Sequence, residues 1–124
     1  MRFTIDKHER YVVIEPLCAH LDGHAAAYLK AEFMLRNTSG QRNIVLDFSN
    51  IEKIDEEGIR MGLLAHRLCH AAGGMFIVTH LNAELLQWIK LAQLDTYFVI
   101  VKGIPEAEDL IFGHELQHDL RGDL

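Results

Sequence analysis

Asn43-Ile44-Val45-Leu46-Asp47-Phe48, then Asp55-Glu56-Glu57-Gly58, then Ile59-Arg60-Met61-Gly62-Leu63-Leu64, is the stretch from which the fold can be read. Its first block, Ile44-Val45-Leu46, is apolar without alternation, as expected of a central strand covered on both faces. Ile51 and Ile54 lead on to the acidic turn. From about Glu56 to Ala72, the residues Met61, Leu64, Leu68 and Ala71 recur on one helical stripe with Ile59 and Leu63 beside it, and Gly73-Gly74 closes the helix. Three carboxylates therefore crowd one helix start. An acid there can accept the unpaired amides of the first turn and meet the positive end of the dipole, and the same place suits a phosphate.

Working towards the N-terminus, Arg2 to Ile5 and Tyr11 to Glu15 are short β-branched and aromatic runs around the polar stretch Asp6 to Arg10. They predict an antiparallel hairpin, with Pro16 ending its second strand. Between Leu21 and Arg36 the spacing becomes helical, with Ala25, Leu29 and Phe33 at steps of four, Ala26 and Met34 beside them, and a stop at Asn37-Thr38-Ser39-Gly40. Towards the C-terminus, Met75 to Val78 reads as a second buried strand. Asn82 suits the cap of a short helix holding Leu85, Leu86, Ile89 and Ala92. Tyr97 to Val101 returns to strand, and Pro105 suits the first position of a last helix. The repeated strand-helix unit predicts an α/β fold: one domain over residues 1–124, a mostly parallel five-stranded sheet with an N-terminal antiparallel hairpin, and about four helices.

Composition narrows the function. A chain of 124 residues can bury a core without staples. No apolar run reaches a membrane span and Met1 to Asp6 has no long apolar block, so the chain is expected in the cytoplasm without direct membrane insertion. Cys18 and Cys69 are too few for a disulfide framework and too far apart for a metal knuckle; both read as reduced, small apolar fillers. The net charge of −6 lies almost wholly in the tail, since residues from Gly103 onward hold six acids and one base, against twelve and eleven before it. A near-neutral body with no Lys/Arg cluster excludes nucleic acid as the expected partner.

Several features between about Asn43 and Ile100 together resemble the STAS domain, the fold of the bacterial anti-sigma-factor antagonists. They are the strand ending in Leu46-Asp47-Phe48-Ser49-Asn50, the turn Ile54-Asp55-Glu56-Glu57-Gly58-Ile59, the junction Ala71-Ala72-Gly73-Gly74, and Leu91-Ala92-Gln93-Leu94. In that family the turn usually reads Asp-Ser-Ser-Gly, and an anti-sigma kinase phosphorylates the second serine, which falls on Glu57. The resemblance thus implies a regulator of an anti-sigma kinase with a permanent acid at the phosphosite-equivalent Glu57. One charge and two oxygens on a longer stem imitate a phosphoserine imperfectly. Two outcomes stay open: a fixed released form, or a partner changed to accept acid there. An accessory subunit of a transport or signalling complex is the alternative role of the same fold. The plain reading of the turn is that Asp55 only caps the helix and Glu56 and Glu57 are only first-turn acids.

Other motifs carry rival chemistry. His114-Glu115-Leu116-Gln117-His118 matches the zinc-hydrolase pattern, in which two histidines hold metal and the glutamate acts as base. It lacks a well-spaced third ligand, with Asp119 and Asp123 poorly placed, and both histidines continue the stripe Ala107, Leu110, Ile111. His66 and His70 stand one turn apart and read as exposed side chains rather than a metal contact. Ser49 is a second candidate modification site, with a strand-end cap as its simpler role. Trp88 lies at the flank of its helix, as a partner anchor or packed on a loop. The expectation is a non-catalytic interaction module with no cofactor and no metal, compatible with a homodimer. It meets a protein partner through Asp55, Glu56, Glu57, Gly58, Ile59, Met61 and Trp88.

Overall fold

The computed structural model describes residues 2–122; Met1, Asp123 and Leu124 lie outside them. A five-stranded sheet runs in the order β1 (Phe3–Lys7), β2 (Val12–Pro16), β4 (Ile44–Asp47), β6 (Phe76–Thr79), β7 (Val99–Val101). The β1–β2 pair is antiparallel, with Phe3 opposite Pro16, and the other three pairings are parallel. Four helices join the strands: α1 (Gly23–Thr38), α2 (Glu56–Ala71), α3 (Ala83–Leu91) and α4 (Ile104–Gly122). The α/β architecture is the one the strand-helix alternation predicts.

Alternation along the strands sorts the core into two layers. Val12, Ile14, Ile44, Leu46, Phe76 and Val78 face α1, α2 and α3, whereas Val13, Val45 and Ile77 face α4 through Ala107 and Ile111. Ile44, Val45, Leu46 and Ile77 are at most 1% exposed, which is why these strands read as unbroken apolar runs.

Three elements depart from the sequence reading. A second, two-stranded parallel sheet pairs β3 (His20–Leu21) with β5 (Lys53–Ile54), and two residues per strand are too few to leave a periodic signal. A single 3₁₀ turn at Leu94–Thr96 precedes β7, so Tyr97 is exposed instead of opening the strand. The stripe of α2 is also rotated from the expected one. Met61 and Ile59 are buried as expected, but Gly58, Gly62, Ala65 and Cys69 face the core with them, Leu64 and Leu68 are half-buried flanks, and Ala71 is exposed. The reason is distance, because a Cβ on Gly62 would stand 3.0 Å from the Phe98 ring. Small residues let α2 lie close on the sheet, and the larger ones move aside.

Caps behave mostly as chemistry dictates. Asp22 accepts from the Ala25 amide at 2.9 Å and Asn82 from the Leu85 amide at 2.7 Å. Gly73, at φ +82°, terminates α2 in the left-handed conformation that suits glycine.

Candidate functional site

The acidic turn is held by the small β3–β5 sheet at the C-terminal end of the parallel strands. The Ala19 carbonyl accepts from the amides of Glu52 and Lys53, and the Leu21 carbonyl accepts from the Asp55 amide at 3.0 Å. This clamp brings the starts of α1 and α2 together. A Cβ on Gly23 would meet Glu57 Cγ at 3.6 Å. Two positive helix ends therefore face solvent side by side, with Asp22, Asp55, Glu56 and Glu57 around them.

Each acid has its own surroundings. Asp55 occupies the N-cap position but makes no capping bond through its side chain. His20 Nε2 instead donates to Asp55 Oδ1 at 2.6 Å across the β3–β5 pair, with both side chains about half exposed. That corrects the plain reading of Asp55 as a side-chain cap: the contact with His20 is 35 residues distant in sequence and wins the carboxylate. Glu56 pairs with Arg60 at 2.5 Å in an i,i+4 contact. Glu57 is 58% exposed and touches Arg60 only at 3.5 Å. Ion pairs this exposed contribute about 0 to 1 kcal/mol, so Arg60 neither buries nor fixes the Glu57 carboxylate.

Of the residues expected to meet a partner, Asp55, Glu56, Glu57 and Trp88 are exposed, Trp88 by 44%. Gly58, Ile59 and Met61 are buried and face a cavity wall shared with Phe48, Ile89 and Phe98. They position the turn from beneath. Sequence reasoning missed a groove of about 370 Å³ between α1 and α2, lined by Gly23, Lys30, Glu57, Arg60, Leu64 and Arg67 among others. Three bases thus run away from one acid. The spacing of Arg60 and Arg67 on α2 hints at it, but Lys30 joins them only through the α1–α2 packing.

The rival motifs resolve differently. In α4 the buried stripe is Ala107, Ile111 and Glu115, while Leu110 is 42% exposed. Glu115, only 4% exposed, is the residue that turns inward. It accepts a close ion pair from Arg42, a hydrogen bond from Asn43 Nδ2, and a 3.5 Å contact from Arg10. The Arg42 guanidinium above all holds its carboxyl below the usual glutamate range, the opposite of what a general base near neutrality needs. His114 Nε2 lies 2.9 Å from the Gly73 carbonyl oxygen and ties α4 to the end of α2. Among the described residues, the one group of side chains close enough to share a cation is Glu115, His118 and Asp119. Arg10 already stands 3.5 Å from Glu115 and 3.4 Å from Asp119, so a guanidinium occupies that place.

Ser49 donates its hydroxyl and its amide to Asp47 Oδ1, which also accepts from His80 Nδ1 at 2.9 Å. The Asp47 carboxylate is thus the acceptor that closes the turn after β4, and the exposed Ser49 hydroxyl is engaged with it. Burial pushes the Cys69 thiol up to about 12, as befits a packed filler.

The fold and the clamped turn define a class of protein, and comparison with known proteins agrees with it. A family model described as the STAS domain matches residues 3–107, and the chain belongs to that family. Solved structures similar to it include TM1081 of Thermotoga maritima, a candidate anti-sigma factor antagonist, at 22% identity and TM-score 0.82, covering 88% of this chain and 93% of that one. The Bacillus cell-fate determinant SpoIIAA in its phosphorylated form is 21% identical at TM-score 0.69, covering 89% of this chain and 99% of that one. A form of RsbS from Moorella thermoacetica in which one serine is replaced by glutamate is 22% identical at TM-score 0.70, covering 91% and 97%. No curated protein matches the chain in sequence. Identities this low speak for a shared fold. No helix among the described residues is long and apolar enough to cross a membrane.

Proposed function

We propose that this chain is a non-catalytic interaction module of the anti-sigma-factor-antagonist type, and that it docks a protein partner of the anti-sigma kinase class through the turn Asp55–Glu57. The observation that carries this reading is the placement of Glu57 in the first turn of α2, 58% exposed and held by nothing stronger than a 3.5 Å contact with Arg60. A carboxylate there displays a negative charge to solvent at the end of a helix dipole, where a phosphoryl group would be favoured too. Glutamate has no hydroxyl to phosphorylate, so the charge is permanent. Relatives solved with a phosphoryl group and with glutamate in place of serine support the compatibility of the fold with either form of acid.

The contact has two electrical halves. Glu57 with Asp55 and Glu56 forms the acidic end, and Lys30, Arg60 and Arg67 line the groove behind it. A partner that fits places base against the turn and acid along the groove, and such complementarity governs register and on-rate more than raw affinity. Trp88 extends the surface as an aromatic anchor.

The test compares the wild type with Glu57→Ser as baits in lysate of the source cells, with ATP added after capture. Glu57→Ser should retain the kinase about tenfold less tightly than the wild type, a difference of about 1.4 kcal/mol, and recover that affinity once its new hydroxyl is phosphorylated. Equal capture by both baits, unchanged when the serine is phosphorylated, would remove charge at residue 57 as the determinant.

A further inference from the structure

The last helix presents a second apolar line to solvent. Phe112, Leu116 and Leu120 follow one another at steps of four and are 71%, 61% and 58% exposed. Steps of four place them on one face, about 12 Å from end to end. That face is not the one packed on the sheet, which belongs to Ala107 and Ile111. Beside it a groove of about 430 Å³ opens between α4 and the β1–β2 hairpin. Ile111 and Tyr11 line it between Phe112 and Leu116 on one side and His8 on the other, and the His8 ring stacks on Tyr11 with centroids 4.3 Å apart.

Acids border this apolar surface. Glu9, Glu108 and Asp119 line the groove, and Asp109 is exposed on α4 one turn before Phe112. Arg10 is the one lysine or arginine in the lining, and it already contacts Glu115 and Asp119. An apolar line two turns long inside a negative border has the form of a site for an amphipathic helix anchored at i, i+4 and i+8.

We propose that this face docks a basic amphipathic helix of a partner protein. Its apolar edge lies along Phe112, Leu116 and Leu120, and its lysines or arginines lie against Glu9, Glu108, Asp109 and Asp119. Charge selects this occupant over two others. A second copy related by a two-fold axis would set the same acids against one another, and an anionic lipid surface would be repelled by them. The line also begins beyond residue 107, where the family match ends, and it lies on the opposite face of the sheet from α1 and α2. Occupancy here therefore leaves the Glu57 turn free, and the two contacts are independent.

The experiment uses two fluorescent helical peptides of about 18 residues, five turns, that share one leucine edge and carry either lysine or glutamate on its flanks. The lysine peptide should bind the full chain, weaken with added salt, and lose at least about tenfold in affinity to Phe112→Ser/Leu116→Ser and to Glu9→Lys/Asp109→Lys. Glu57→Ser should bind it as the wild type does. All of these side chains are exposed, so unchanged melting verifies that the variants are folded. Equal binding of both peptides, or binding that survives both double variants, overturns the proposal. So does sedimentation showing an oligomer that Phe112→Ser/Leu116→Ser dissociates, or attachment to phosphatidylserine vesicles that the same variant abolishes.

Discussion

Gly58 sits under the acidic turn where the α2 backbone passes closest to the β3–β5 clamp. A Cβ there would lie 2.6 Å from Ile54 Cγ1 and 2.9 Å from the Leu21 carbonyl oxygen, which already accepts from the Asp55 amide. Gly58→Ala must therefore push the turn off its support. A loss of about 1 to 3 kcal/mol is expected, read as a lower urea midpoint at unchanged m. Neighbouring residues show how far local reading reaches. That Glu57 stands in a first helical turn follows from the strand before it and the helical spacing after it. That Asp55 turns from the helix amides to His20 does not follow, because the two meet only through a four-residue parallel sheet built from distant loops.

Elements bring out a different lesson, seen in α4. Its apolar spacing and its Pro105 start are plain in the sequence, yet the third member of its buried stripe is a glutamate. A carboxylate inside a stripe reads as a break in the pattern until Arg42 and Asn43, just before β4, supply its partners. Because the folded-state pKa of Glu115 is lowered, its contribution to stability is complete above the ordinary glutamate value of about 4.3 and is lost as pH falls through the folded-state value. Glu115→Gln should cost about 1 to 3 kcal/mol at neutral pH and flatten the stability curve below about pH 4.3, measured by urea unfolding at stepped pH. The α2 stripe teaches the same point from the apolar side. Periodicity identifies a helix, but which of two adjacent stripes faces inward depends on how much room the sheet leaves, and Phe98 over Gly62 leaves little.

At the scale of the whole molecule, one sheet serves two surfaces. α1 and α2 cover one face and carry the acidic turn, and α4 covers the other, where Tyr11, Val13, Val45 and Ile77 depend on Ala107 and Ile111. A chain ending at Lys102 should expose that second layer, losing cooperative thermal unfolding and binding several times more hydrophobic dye at neutral pH than the full chain, which melts in one transition. The strand-helix order, the parallel sheet with its hairpin, and the acid at the first turn of α2 were all legible from residue order, because they depend on spacing and on neighbours within one turn or one strand. The β3–β5 clamp, the bond of Asp55 to His20, the bases behind Glu57 and the inward Glu115 were not, because each joins residues that are distant along the chain. Local periodicity specifies an element and its faces, whereas the partner of a polar side chain is settled only when packing has brought the elements together.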